Sequence, residues 1–76
     1  MLEKQSKVRE IYEIFSNILE FEVEVGKDIT RSNTPEWNSL KHMEIMFSLE
    51  ELFDMQFTEE ELITANSINF ILKRLE

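Results

Sequence analysis

Ser39, in the run Trp37-Asn38-Ser39-Leu40, is the residue of this chain best suited to chemistry. It stands where an irregular stretch gives way to a strong helical pattern, Met43-Glu44-Ile45-Met46-Phe47-Ser48-Leu49-Glu50-Glu51-Leu52-Phe53. A hydroxyl at the start of a helix lies beside unpaired backbone N–H groups and the positive end of the helix dipole. A phosphate ester on that oxygen would sit in a favourable field. The competing reading is that Ser39 merely helps cap the helix, as serine often does. A self-sufficient catalytic serine fits poorly. The nearest base in sequence, His42, falls toward the core side of the helix, and no third group is placed to orient it. With one His and no Cys, thiol nucleophiles and Cys-ligated metals are excluded, and an enzyme is not expected. The acid run Glu59-Glu60-Glu61 lacks the ligand spacing and turn glycine of a calcium loop, so no specific metal site is expected.

The helix that follows Ser39 carries two apolar faces. At about 100° per residue, Ile45, Met46, Leu49, Leu52 and Phe53 gather on one side as a core face. Leu40, Met43 and Phe47 fall on roughly the opposite side, together with Glu44, Glu50 and Glu51. A helix of a small bundle needs one buried face only. A second apolar stripe set among acids suits a docking surface for a basic partner. The alternative is that Phe47 packs against another helix or a loop.

Around this helix the pattern predicts an all-α fold, a small bundle of three main helices plus one short helix, with a long loop between the first and second. Val8, Ile11, Tyr12, Phe15, Ile18 and Leu19 give the spacing of a helix burying one face, over about Glu3 to Glu20. Phe21-Glu22-Val23-Glu24-Val25 alternates as a strand does, but no second strand is evident to pair with it. The stretch from Phe21 to Trp37 therefore reads as a partly extended loop, with Val23, Val25 or Ile29 plugging the core. A loop this long in a compact domain calls for a function. The second helix spans about Ser39 to Phe53, with Asn38 as N-cap. In the short third helix, Thr58 and Glu61 form a capping box, and Phe57 and Leu62 sit where a hydrophobic staple would. The last helix starts near Asn66 or Ser67. It buries Ile68, Ile71, Leu72 and Leu75 and places Lys73 and Arg74 at its dipole-favoured end. Phe15, Phe47, Phe53, Phe57 and Phe70 are bulky enough to fill the interior, which hints at short or polar cargo or cargo held outside.

The 76 residues amount to one domain, 1–76, with a core of modest size. Sixteen Asp and Glu against eight Lys and Arg give a formal net charge of −8. Nucleic acid and anionic membranes are thereby disfavoured as partners, and a basic protein surface is the natural complement. Between His42 and Leu72 no Lys or Arg occurs, while Glu44, Glu50, Glu51, Asp54, Glu59, Glu60 and Glu61 do. The plain reading of that acidic stretch is a solvated face that aids solubility. No signal peptide and no apolar run long enough to insert in a membrane is evident, so a cytoplasmic monomer is expected.

Taken together, these residues resemble the acyl carrier protein family, whose motif is Asp-Ser-Leu at the start of the second helix. Here it reads Asn38-Ser39-Leu40, followed by Met43-Glu44 and Leu49-Glu50-Glu51-Leu52-Phe53; the capped helix at Thr58-Glu59-Glu60-Glu61 and the final apolar helix match as well. The likeness covers nearly the whole chain. It implies that Ser39 accepts 4′-phosphopantetheine from coenzyme A, through a phosphopantetheinyl transferase, typically magnesium-dependent. Acyl or aminoacyl groups then ride as thioesters on the arm's thiol to acyl-loading and acyl-transfer enzymes. Leu40, Met43, Glu44, Glu50 and Glu51 match the recognition helix of the family, which docks on basic patches. Three departures stand out. Asn38 replaces the usual Asp and removes a charge that would pair with a transferase cation. Thr34-Pro35-Glu36-Trp37 lacks the Leu-Gly step common in fatty-acid-synthesis carriers, which points to a specialised pathway rather than housekeeping fatty acid synthesis, within fatty acid or polyketide biosynthesis as the resemblance implies. Lys41 puts a positive charge where acids are frequent. The alternative is an unmodified acidic interaction module of the same fold, docking through the second helix without need of Ser39.

Overall fold

The computed structural model describes residues 2–75, and side chains from residue 7 onward. Its described residues form four α-helices and no strand: α1 (Leu2–Leu19), α2 (Ser39–Phe53), α3 (Glu59–Thr64) and α4 (Ile68–Leu75). This is a small all-α bundle. Ile11, Tyr12, Phe15 and Leu19 of α1 are buried against Ile45, Met46 and Leu49 of α2 and Ile68 and Ile71 of α4. The apolar spacing on each helix thus closes one common core. Val23 and Trp37 from the long loop complete it, with Phe57 and Ala65 from either side of α3.

The helix ends follow local chemistry. Helix α1 stops at Glu20, whose φ of 67° is left-handed and whose N–H returns to the Ser16 carbonyl at 2.9 Å. Helix α2 begins after Asn38, whose side-chain oxygen accepts the Lys41 N–H at 2.9 Å, and ends on Asp54, left-handed with φ 53°. The capping box of α3 forms in both directions: Thr58 Oγ1 accepts from Glu61 N–H at 3.1 Å, and Glu61 accepts from Thr58 N–H at 2.9 Å. Phe57 is buried and Leu62 half-buried in the same core, as a staple requires. Helix α4 starts at Ile68, just after the Asn66 or Ser67 predicted, because Ser67 is its cap and accepts the Phe70 N–H at 3.1 Å.

The loop between α1 and α2 is fastened rather than loose. Ser16 Oγ accepts the Val23 N–H at 2.9 Å, and the Tyr12 hydroxyl donates to the Lys27 carbonyl at 2.7 Å. An antiparallel bridge joins Thr30 to Ser67. Through it Arg31 N–H donates to Asn66 O at 2.9 Å, and Ile68 N–H to Ile29 O at 3.1 Å. The Asp28 carboxylate accepts the Asn69 N–H at 2.8 Å. The first two N–H groups of α4, which have no partner inside the helix, are therefore satisfied by the loop, and the third by the Ser67 cap. A 3₁₀ turn, Arg31–Asn33, lies within it.

Some expectations are corrected. Of the three candidates to plug the core, Val23 is buried and Ile29 half-buried, but Val25 is 59% exposed. It flanks Gly26, whose φ of +97° is a backbone conformation that favours glycine. Leu72 and Leu75 are half-buried at the edge of the bundle. Phe15 and Phe57 fill the interior, Phe53 is half-buried, and Phe47 and Phe70 lie on the surface. The two exposed rings lie on helix faces that the compact core leaves outside.

Candidate functional site

Ser39 is the first residue of α2 and is exposed. The cap belongs to Asn38, which has extended backbone and supplies the accepting oxygen. Capping therefore makes no demand on the Ser39 hydroxyl. That hydroxyl stands in the first turn of a fifteen-residue helix, where the dipole is positive. Asn38, neutral and hydrogen-bonded, adds no negative charge beside it. Lys41, one turn inward, pairs with Glu20 at 3.3 Å across the α1 end.

The residues before Ser39 are held from several sides. Trp37 is 2% exposed, and its ring stands edge-on to Phe15 with centroids 5.1 Å apart. Its N–H donates to Thr34 O at 2.9 Å, and its indole N–H donates to His42 Nδ1 at 3.0 Å. Since Nδ1 accepts, the imidazole proton is on Nε2, and it donates to Leu62 O at 2.6 Å. His42 is buried. Burial, with the Arg31 charge nearby, holds its pKa below the ordinary 6.5, against the pull of the Leu62 carbonyl. The imidazole is thus a neutral structural group and is spent on both nitrogens, which removes it as a general base for Ser39.

The surface next to Ser39 matches the two-faced pattern of α2. Leu40 is 69% and Phe47 56% exposed, Met43 is half-buried, and Glu44 and Glu51 are exposed among them. Glu50 differs. One of its carboxylate oxygens accepts the Phe57 N–H at 2.8 Å, so it also fastens the α2–α3 loop. Ile63 of α3 is 73% exposed and was not anticipated. Its signal was available, because in Glu59-Glu60-Glu61-Leu62-Ile63-Thr64 only one side of a single-turn helix can face the core. An open cleft of about 520 Å³ lies beside Trp37, lined by Thr30, Arg31, Ser32, Asn66 and Ser67.

Among the described residues no group of three acidic or imidazole side chains is placed to hold a metal ion. No described helix is long and apolar enough to cross a membrane. Set against protein-family models, curated proteins and solved structures, the chain finds no match.

Proposed function

We propose that this protein is an acyl carrier that works through a covalent arm on Ser39. The observation that carries the reading is the division of labour at the start of α2. Asn38 takes the cap, which leaves the Ser39 hydroxyl exposed and uncommitted at a positive helix end. In the attachment step, Ser39 Oγ attacks the phosphorus of coenzyme A that bears pantetheine. The bridging P–O bond of the diphosphate would break, adenosine 3′,5′-bisphosphate would leave, and the hydroxyl proton would pass to solvent or to a base of the transferase. The 4′-phosphopantetheine so attached would supply the thiol that this Cys-free chain lacks and would hold acyl or aminoacyl cargo as a thioester. The residues of the chain do the rest. The positive helix end favours the phosphodiester. Leu40, Met43 and Phe47 offer apolar contact to transferases and acyl-transfer enzymes, and Glu44 and Glu51 meet their cations, with Glu50 contributing its second oxygen.

The test is intact-protein mass spectrometry after incubation with coenzyme A, Mg²⁺ and a broad-specificity phosphopantetheinyl transferase. A single phosphopantetheine adduct is expected on the parent and none on Ser39→Ala. No adduct on the parent, with one on Asn38→Asp, would mean that the neutral cap restricts recognition to a dedicated transferase. No adduct on either would end the carrier reading. A second reading rests on the exposed Leu40 and Phe47 among acids: an unmodified module that docks basic proteins through α2. Function that survives Ser39→Ala would favour it.

A further inference from the structure

His42 stands between two segments that are otherwise separate. On one side its Nδ1 accepts the Trp37 indole N–H at 3.0 Å. Trp37 and His42 are five residues apart, so this bond closes a small ring of chain in which Ser39 lies. On the other side its Nε2–H donates at 2.6 Å to the carbonyl of Leu62, twenty residues away. In a six-residue helix most C=O groups lack an intrahelical N–H. Leu62 O is one of these, and His42 satisfies it.

The rest of the surroundings leaves His42 as a principal polar link. Trp37 is fixed by Phe15, by its own N–H to Thr34 O, and by Arg31, whose Nε–H reaches its carbonyl at 3.5 Å. Helix α3 is too short to be stable on its own. It is bracketed by the Thr58–Glu61 capping box and by the Glu61–Arg74 ion pair. Both of these lie on the exposed side. The buried polar tie from α3 to the Ser39 turn runs through one imidazole, donor at one nitrogen and acceptor at the other.

We propose that His42 is a positioning residue which locks the Ser39 turn and helix α3 into one unit, so that neither can shift without the other. A partner that grips α3, for instance at the exposed Ile63, thereby also acts on the turn that carries the serine. The link to loading rests on the carrier reading; the mechanical coupling does not.

Hydrogen exchange on the bare protein tests it, because the two arms can be cut separately. In His42→Asn the side-chain oxygen falls near the Nδ1 position, which retains an acceptor for Trp37 and loses Leu62. In His42→Gln the side-chain amide reaches the Nε2 position, which retains a donor for Leu62 and loses Trp37. Trp37→Phe removes the indole donor and keeps a ring against Phe15. Each variant is expected to speed exchange at both 38–42 and 62–66, by about tenfold over any change in α1, the scale set by one buried hydrogen bond. The rate of phosphopantetheine transfer to Ser39 is expected to fall in all three. If His42→Asn loosens 62–66 alone and His42→Gln loosens 38–42 alone, the segments are independent and the proposal is wrong. If α1 loosens as much as they do, His42 supports only the global fold and the proposal is equally wrong. Should neither the parent nor Asn38→Asp take phosphopantetheine, the carrier reading falls, while exchange still decides the coupling.

Discussion

The carboxylate of Glu50, on the last full turn of α2, accepts the backbone N–H of Phe57 at 2.8 Å and so sets where the chain turns toward α3. The same helix end is closed by main-chain bonds, since Glu50 O accepts from both Asp54 and Met55. Glu50→Ala leaves the Phe57 N–H without its charged partner and is expected to cost about 1–3 kcal/mol. Glu51→Ala, on the exposed side, is expected to stay within about 0.5 kcal/mol of the parent. Urea titration of both variants separates an acid that builds the fold from one that is free to meet a partner.

Leu40 and Phe47 should separate binding from stability. Both are more than half exposed, so Leu40→Ser and Phe47→Ser are expected to change stability by no more than about 0.5 kcal/mol. Their rates of phosphopantetheine loading are expected to fall by about tenfold or more, as for apolar anchors of an interface. An unfolded Phe47→Ser would place that ring in the core instead.

The buried imidazole makes a pH prediction. The pKa of His42 in the folded protein lies below its unfolded value near 6.5, first because of burial and also because of Arg31. The neutral form is the one that folds. This contribution to stability is complete above pH 6.5 and is lost as pH falls from there through the lower folded value. Denaturation curves at a series of pH values should show that decline in the parent and a flatter profile in His42→Asn. A second loss belongs lower. Glu61, held below 4.5 chiefly by Arg74, contributes stability that disappears only as pH falls under 4.5. Arg74→Gln should shrink that lower step, with the part owed to the Thr58 hydrogen bonds remaining, and leave the upper one.

The loop offers a fourth case. Tyr12→Phe deletes the hydroxyl that holds the Lys27 carbonyl at 2.7 Å and is expected to cost about 1 kcal/mol. Amide exchange should quicken around residues 23–28 more than in α2.

How far these features could be read in advance depended on their range along the chain. Asn38 as cap, the Thr58–Glu61 box and the core and outer faces of α2 are settled within one or two turns, and local sequence carried them. The Thr30–Ser67 bridge joins segments 37 positions apart, and nothing near either residue signals it. Trp37 stands just before the motif in sequence, and its place against Phe15 emerges only once α1 and the loop meet. His42 was expected near the core, yet its use of both nitrogens depends on the position of Leu62, which sequence spacing does not supply. On size alone Phe70 reads as interior filling, and Phe47 reads both as filling and as outer face; their helix faces put both outside.

The Trp37–His42 contact also gives the protein a built-in optical gauge. Trp37 is its single tryptophan, nearly sealed from water, with the His42 ring centroid 5.9 Å away. A shielded indole emits at short wavelength, and a protonated imidazole at that range quenches the emission far better than a neutral one. The intrinsic fluorescence of the unlabelled protein therefore reads both the charge on His42 and the seating of the turn that presents Ser39.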